Sequence, residues 1–155
     1  TGVQTCALPI FDLSPTLIQL ARERLPQDLH GGQLEFVAGD MLSTTYGQFD
    51  HVVAMDSMIH YGKQDMVQVL AGLAARTTHS VLFTFAPSNP ILATMIRVGR
   101  IFPRSDRAPF IEPIAEATLR SEVAKHVPLR AWTIGRTEKI SSGFYTSQAM
   151  ELCRP

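Results

Sequence analysis

The chain has few cysteines, no excess of charge of either sign and no long apolar run. Only two cysteines occur among its 155 residues, which excludes a disulfide framework and favours a reducing compartment. Fourteen basic residues against fourteen acidic ones argue against nucleic-acid binding, which usually needs a basic face. The five histidines show no spacing typical of metal ligands, so we predict no metal site. No apolar stretch is long enough to span a bilayer, and the length suits one domain.

Three short segments each place an acidic residue at the end of a strand-like stretch. They are Phe11-Asp12-Leu13-Ser14-Pro15, Gly39-Asp40-Met41 and Phe49-Asp50-His51-Val52-Val53-Ala54-Met55-Asp56. Their spacing is typical of successive βα units in a doubly wound sheet, where ligands bind at the carboxyl ends of the strands. An Asp at that end can accept two hydrogen bonds from a ribose diol. The sequence therefore predicts an α/β fold with a nucleoside site at this edge of the sheet.

Periodicity and turn residues predict the other elements. Ser14-Pro15 is typical of a helix start, with a hydroxyl cap followed by a proline in the first turn. Apolar residues at helical spacing indicate further helices, whereas shorter apolar runs indicate strands. We predict helices over residues 15–25, 63–75, 91–101 and 116–126, and strands over residues 34–38, 49–55, 80–85, 131–140 and 144–152. The strand over 49–55 is expected to be buried, and the last two strands are expected to form an antiparallel pair.

This arrangement resembles the Rossmann-like class of S-adenosylmethionine-dependent methyltransferases. In that class the first acid binds the ribose and the Gly-Asp pair lies beside the adenine. The resemblance implies a cofactor site made of Asp12, Leu13, Gly39, Asp40, Met41 and Asp56. The closing antiparallel pair favours this class over nicotinamide-binding domains, which normally continue with parallel strands. Plainer alternatives are an acid at a helix amino terminus for Asp12, a common Gly-Asp turn for Asp40 and a core side chain for Met41.

The first ten residues, TGVQTCALPI, read like the translation of a common sequencing-adapter oligonucleotide. We therefore predict that residues 1–10 are an artefact and that residues 11–155 are a truncated methyltransferase domain. The first strand, the glycine-rich turn and the first helix of the class would then be missing ahead of Asp12. The alternative is a genuine loop followed by a short apolar strand.

The segment Asp56-Ser57-Met58-Ile59-His60-Tyr61 follows the central strand, where this class places both the sulfonium and the acceptor. Methyl transfer needs the acceptor in line with the departing sulfur, so the enzyme contributes mainly positioning. We predict that His60 orients or deprotonates the acceptor and that Tyr61 donates a hydrogen bond to it. The alternative is that these two side chains only shape the floor of the pocket.

Three stretches are similar to the magnesium-protoporphyrin IX methyltransferase family: residues 54–61, the loop 99–109 with its Phe-Pro-Arg-Ser-Asp-Arg motif, and the ending 142–149. The resemblance implies methyl transfer from S-adenosylmethionine to a propionate of magnesium-protoporphyrin IX, giving the monomethyl ester in chlorophyll and bacteriochlorophyll synthesis. It implies that Arg104 or Arg107 holds the other propionate, and that residues 91–101 suit the flat porphyrin face. A solvated loop with an internal Arg-Asp pair is the alternative for this patch.

The resemblance also implies a cytoplasmic protein of photosynthetic bacteria, with peripheral contact to photosynthetic membranes and to the porphyrin-carrying subunit of magnesium chelatase. Because a propionate is already ionised near neutral pH, it implies an orienting or charge-stabilising role for His60 rather than that of a base. Two alternatives stay open. One is methylation of another small acceptor, such as a quinone precursor, and the other is that the chain as given is an inactive fragment.

Overall fold

A computed structural model describes residues 7–26, 33–88, 111–142 and 145–155. In chain order the elements are β1 (Ala7–Asp12), α1 (Pro15–Glu23), β2 (Gln33–Ala38), β3 (Phe49–Ala54), α2 (Lys63–Ala74), β4 (Thr77–Phe85), α3 (Glu116–Lys125), β5 (Thr133–Ser142) and β6 (Tyr145–Cys153). Short 3-10 turns occupy Thr44–Tyr46 and Val127–Leu129. The chain divides into two compact units, the first ending at Tyr46 and the second beginning at Gly47.

The first unit is a βαβ crossover. β1 and β2 pair in parallel along their whole length, and α1 connects them. The helix begins as predicted, because the Ser14 hydroxyl accepts the Leu17 N–H at 3.3 Å and a proline occupies the first turn. Arg22 in the last turn donates to the Phe36 carbonyl at 2.5 Å, which ties the helix to β2. The cap of α1 and the single crossover between parallel strands therefore place the carboxyl ends of β1 and β2 next to each other, at the same edge of this two-stranded sheet.

The second unit is a four-stranded mixed sheet with the strand order β3-β4-β6-β5. β3 and β4 are parallel and are linked by α2. β6 lies antiparallel to both β4 and β5. The predicted closing antiparallel pair is thus confirmed, and its second strand lies inside the sheet rather than at the edge.

One face of this sheet carries the core of the second unit. Helix α2 packs on β4 and on α3. These helices and the two central strands supply most of the described apolar side chains that are at most 1% exposed: Met66, Leu70, Leu119, Val81, Phe83, Phe85, Met150 and Leu152. Full burial of an aliphatic or aromatic side chain contributes roughly 1.5–3 kcal/mol, so this face stabilises the unit.

The prediction that β3 is a buried strand is wrong for one of its faces. Val53 is 63% exposed and Met55 is 68% exposed, whereas Ala54 between them is only 5% exposed. Val53 lies beside Leu82 of β4, which is itself 36% exposed. Because successive residues of a strand point to opposite faces, the core that forms on the Ala54 side leaves Val53 and Met55 outside it.

Several predictions concern residues outside the described ranges. The helix over 91–101 and the loop with Arg104 and Arg107 lie there. Residues 7–10 form the first part of β1, and the predicted origin of residues 1–10 stays a prediction, as does the truncated domain over 11–155. None of the helices in the described ranges is long and apolar enough to cross a membrane.

Candidate functional site

Asp12 ends β1 and makes two contacts there. Its carboxylate oxygen Oδ1 accepts the Ser14 N–H at 2.7 Å, and its carbonyl oxygen accepts the Gly39 N–H at 2.9 Å. The first contact forms the turn into α1, and the second joins the ends of β1 and β2. Asp12 is half-buried, and a carboxylate offers about four acceptor sites. The contact with Ser14 therefore leaves acceptor capacity for a ribose diol.

The segment 39–41 forms a tight turn after β2. The Asp40 carboxylate accepts the Leu42 N–H at 2.9 Å, and the Asp40 carbonyl accepts the Ser43 N–H at 3.0 Å. Asp favours this turn geometry. The local conformation of Asp40 is therefore that of the common Gly-Asp turn, which is the plainer alternative for this residue. Asp40 is exposed and Met41 is half-buried, which keeps both side chains accessible at this edge of the first unit.

Gly39 permits the close approach of an aromatic side chain. A Cβ atom at this position would overlap the Tyr46 hydroxyl. Tyr46 packs against Phe11 of β1, with ring centroids 4.4 Å apart and ring planes inclined by 41°, within the range that aromatic pairs favour. The glycine therefore allows Tyr46 to pack against the end of β2.

Asp56 follows β3 in the left-handed backbone region, with a φ of 50°. This region is uncommon for residues other than glycine, and aspartate enters it more readily than most because its short polar side chain can form local hydrogen bonds. The Asp56 N–H donates to Thr84 Oγ1 at 2.7 Å, and the Thr84 hydroxyl donates to Asp56 Oδ1 at 3.0 Å. Residues other than glycine that the surrounding structure holds in this region are concentrated at functional sites, so this position is a candidate site on geometric grounds.

The turn over residues 56–61, which carries His60, is fixed at further points. Met58 is fully buried, and its carbonyl accepts the Tyr61 N–H at 3.0 Å. The Ile59 carbonyl accepts the Glu112 N–H at 2.9 Å, from the segment that leads into α3. His60 is exposed and Tyr61 is half-buried. The backbone on both sides of His60 is therefore held while the residue stays accessible.

The segment before α3 also pairs with the end of β4. The Ile114 N–H donates to the Ala86 carbonyl at 2.9 Å, and the Ser88 N–H donates to the Ile114 carbonyl at 3.0 Å. These bonds form a short parallel bridge around Pro87. The residues that hold the Ile59 carbonyl are thus themselves fixed to the carboxyl end of the sheet.

A buried amide joins α3 to the last two strands. Gln148 of β6 is 5% exposed, and its Nε2 donates to Glu116 Oε2 at 2.6 Å and to Thr137 Oγ1 at 2.9 Å. Arg120 donates to the other Glu116 oxygen at 2.7 Å. The hydrogen bond from Gln148, followed by that from Arg120, holds the pKa of Glu116 below its usual value. Gln148, in the ending 142–149, therefore fixes the first residue of α3.

Each unit contains part of the predicted site. The first unit carries five of the predicted cofactor residues at the ends of β1 and β2: Asp12, Leu13, Gly39, Asp40 and Met41. The second unit carries Asp56, His60 and Tyr61 in the turn after β3.

Three residues whose contacts are described above were not predicted as site residues, namely Tyr46 and Thr84 at these places and Gln148 at the start of α3. Thr84 had a visible signal, because it is a hydroxyl residue near the carboxyl end of the apolar run 81–85. Arg104 and Arg107 lie outside the described residues.

Comparison with known proteins finds relatives over most of the chain. Residues 54–154 match the family described as magnesium-protoporphyrin IX methyltransferase C-terminus, and residues 3–79 match a methyltransferase domain family. The magnesium-protoporphyrin O-methyltransferase of Rhodobacter capsulatus is 38% identical over 140 residues, which are 90% of this chain and 59% of that protein. The chloroplastic magnesium protoporphyrin IX methyltransferase of Arabidopsis thaliana is 27% identical over 141 residues, 90% of this chain and 44% of that protein. The chain therefore spans only 59% and 44% of the lengths of these relatives.

Solved structures share the fold. The crystal structure of magnesium protoporphyrin IX methyltransferase from Synechocystis PCC 6803 with bound SAH has a TM-score of 0.75 at 24% identity, covering 95% of this chain and 63% of that chain. A SAM-dependent methyltransferase from Methanosarcina mazei has a TM-score of 0.71 at 12% identity, covering 96% of this chain and 82% of that chain. These likenesses confirm the predicted Rossmann-like methyltransferase fold. Because the matched residues 54–154 make up more than half of the sequence, the chain belongs to the magnesium-protoporphyrin IX methyltransferase family.

Proposed function

We propose that this chain is part of an enzyme that transfers a methyl group from S-adenosylmethionine to a propionate carboxylate of magnesium-protoporphyrin IX. The product would be the monomethyl ester on the route to chlorophyll or bacteriochlorophyll. The observation that carries the proposal is the family match over residues 54–154, which contains both the fixed turn with His60 and the ending with Gln148. The name of the 38% identical relative from Rhodobacter capsulatus supports the same reaction.

The ends of β1 and β2 fit the nucleoside part of S-adenosylmethionine. Asp12 offers a half-buried carboxylate with acceptor capacity beyond its contact to Ser14, so we assign the ribose to Asp12. The turn over residues 39–41 lies next to it through the bond between Gly39 and the Asp12 carbonyl, and we assign the adenine to this turn. Leu13 and Asp56 complete the proposed cofactor residues. When bound, S-adenosylmethionine supplies an electrophilic methyl group on its sulfonium.

On the acceptor side, the role of this chain is to orient a carboxylate that is already charged. An aliphatic carboxyl group has a pKa of about 4.3, so no proton has to be removed at neutral pH. His60 and Tyr61 are then orienting groups on a backbone held by Met58 and by the Glu112 N–H. Arg104 and Arg107, outside the described residues, are proposed to bind the propionate that is not methylated, as guanidinium forks suit carboxylates.

We further propose that the protein receives its porphyrin from the porphyrin-carrying subunit of magnesium chelatase, in the cytoplasm and in peripheral contact with photosynthetic membranes. The physical argument is that a porphyrin has a large apolar surface, so a direct transfer between proteins keeps that surface out of water. Co-purification of the two proteins in the presence of porphyrin, but not with porphyrin omitted, would support this partner. Separate elution under both conditions would contradict it.

The test of the reaction uses the complete product of the gene that encodes this chain. Incubated with S-adenosylmethionine and magnesium-protoporphyrin IX, it should yield a porphyrin whose mass in mass spectrometry is higher by one CH2 unit, because a methyl group replaces the hydrogen of one carboxyl group. Asp12→Ala should reduce the yield, whereas Asp50→Ala, at the opposite end of β3 from Asp56, should not. Failure to methylate the porphyrin, together with methylation of a quinone precursor, would establish the alternative acceptor instead.

A further inference from the structure

We propose that Thr84 is a positioning residue for methyl transfer: it keeps Asp56 in the left-handed conformation and thereby fixes the turn over residues 56–61 that carries His60. The inference rests on the proposed function, because it concerns the geometry of the same site. It assigns a role to a residue of β4, a strand for which the acid pattern predicts no site residue.

The contact between Thr84 and Asp56 is reciprocal. One hydroxyl group accepts the Asp56 N–H at 2.7 Å and donates to Asp56 Oδ1 at 3.0 Å. Both bonds therefore act on the one residue of the turn that adopts the left-handed region, with a φ of 50°, which is uncommon for residues other than glycine. Thr84→Val removes both of these bonds at once, which weakens the hold on the left-handed conformation of Asp56.

Further contacts within the turn link the backbone position of Asp56 to that of His60. Met58 is fully buried and bonded to the Tyr61 N–H, and the Ile59 carbonyl is held by Glu112. The turn thus has fixed points in its middle and at its end, and Thr84 supplies the fixed point at its beginning. Because reacting groups must lie within a narrow range of distances and angles, a displacement of about 1 Å can reduce the rate by about 10²-fold.

The same two strands contain a matched control. Thr78 of β4 donates to Asp50 Oδ1 at 3.0 Å, and this pair has the same separation of 28 residues as Thr84 and Asp56. It lies at the amino ends of β3 and β4, away from the turn that carries His60. Thr78→Val therefore removes a cross-strand bond between the same residue types without touching the site.

The experiment compares Thr84→Val, Thr84→Ser and Thr78→Val in the complete gene product. Thr84→Val should lower kcat/KM for S-adenosylmethionine about tenfold, while Thr84→Ser, which keeps the hydroxyl, stays within about twofold of the parent. Thr78→Val should leave kcat/KM within about twofold even where it lowers the Tm as much as Thr84→Val does. Hydrogen exchange by mass spectrometry should show faster exchange of residues 56–61 in Thr84→Val alone.

The outcomes separate this inference from the proposed function. Equal kcat/KM values in Thr84→Val and Thr78→Val, or unchanged exchange of residues 56–61 in Thr84→Val, would overturn the role of Thr84. If the parent protein transfers no methyl group, the proposed function is wrong, and the exchange comparison alone decides whether Thr84 fixes the turn. If Thr84→Val does not fold, the same comparison of kcat/KM and of hydrogen exchange is made between Thr84→Ala and Thr78→Ala.

Discussion

The Gly39 N–H donates to the Asp12 carbonyl oxygen at 2.9 Å, so the residue that follows β2 is bonded directly to the residue that ends β1. The Asp12 carboxylate in turn accepts the Ser14 N–H at 2.7 Å. The acid proposed to bind the ribose and the glycine proposed to lie beside the adenine are therefore parts of one bonded arrangement. We expect a change at either residue to alter cofactor binding.

Asp12→Ala should weaken binding of S-adenosylmethionine by about 1.5–3 kcal/mol, the range for hydrogen bonds to a charged group. The loss arises because no carboxylate remains to accept the ribose hydroxyls. Titration calorimetry on the complete gene product measures it. Asp12→Asn keeps an acceptor for the Ser14 N–H but not the charge. Its affinity for S-adenosylmethionine should therefore lie between that of the parent and that of Asp12→Ala. Unchanged affinity in Asp12→Ala would remove Asp12 from the proposed site.

Gly39→Ala should lower the stability of the protein by about 1–3 kcal/mol, the usual cost of overpacking. The added Cβ would overlap the Tyr46 hydroxyl, and the contact of Tyr46 with Phe11 restricts its retreat. Urea unfolding measures the change. Gly62→Ala is the comparison without overlap, since a Cβ there would meet only an Asp65 carboxylate oxygen at an ordinary 3.8 Å, and its cost is that of replacing glycine by alanine at the N-cap of α2. If Gly39→Ala unfolds at the same midpoint as the parent, the close approach at Gly39 has no energetic consequence.

The parts of the fold that depend on nearby residues could be predicted from the sequence. Ser14 caps α1 because its hydroxyl reaches the Leu17 N–H three residues later. Helix α2, Lys63–Ala74, follows from the spacing of its apolar side chains. The acids at the strand ends also lie where their spacing indicated, because a strand, a turn and a helix start are each local features.

The parts that depend on distant residues could not be predicted. Thr84 contacts Asp56 across 28 residues, and Gln148 contacts Glu116 across 32. No sequence pattern indicates which hydroxyl or amide group reaches which acid over such separations. The exposure of Val53 could not be predicted for the same reason. Tertiary packing decides which face of a sheet is covered, and an apolar run in the sequence does not indicate which of its residues lie on that face.

Glu116→Gln should destabilise the protein at neutral pH by about 1 kcal/mol, low in the range for charged hydrogen bonds because the Glu116 side chain is 35% exposed. Gln148 and Arg120 hold the pKa of this carboxyl below its usual value. Such a group contributes stability above its unfolded-state pKa of about 4.3. That contribution is lost as the pH falls through the lower folded-state pKa. The difference between parent and variant should therefore shrink in acid.

Urea unfolding of parent and Glu116→Gln at a series of pH values measures this dependence. Glu138→Gln, at an exposed position of β5, is the control and should have little effect at any pH. A difference between parent and Glu116→Gln that stays constant from neutral to acid pH would show that the contacts of Glu116 do not depend on its charge.

Arg104→Ala and Arg107→Ala should each raise KM for magnesium-protoporphyrin IX about tenfold, the loss of one charged hydrogen bond, and leave the affinity for S-adenosylmethionine unchanged. Only the acceptor loses a partner, so the two substrates respond differently. Steady-state kinetics with each substrate varied in turn makes the comparison. Arg130→Ala, at an exposed position after α3, is the control. If all three variants match the parent, the loop with Arg104 and Arg107 does not bind the porphyrin.

His60→Gln should reduce kcat by less than about tenfold, because the proposed acceptor is already a carboxylate and needs no base. A general base contributes about 10²–10⁴-fold, so the size of the loss separates the two roles. Gln keeps a side chain that can donate a hydrogen bond but cannot change its charge with pH. The pH–rate profiles of parent and His60→Gln should therefore have the same shape around neutrality. His51→Gln, whose parent side chain contacts Ser80 at 2.9 Å and lies outside the turn 56–61, is the control. A loss of about 10²-fold or more in His60→Gln alone, with a pH dependence present only in the parent, would make His60 the base.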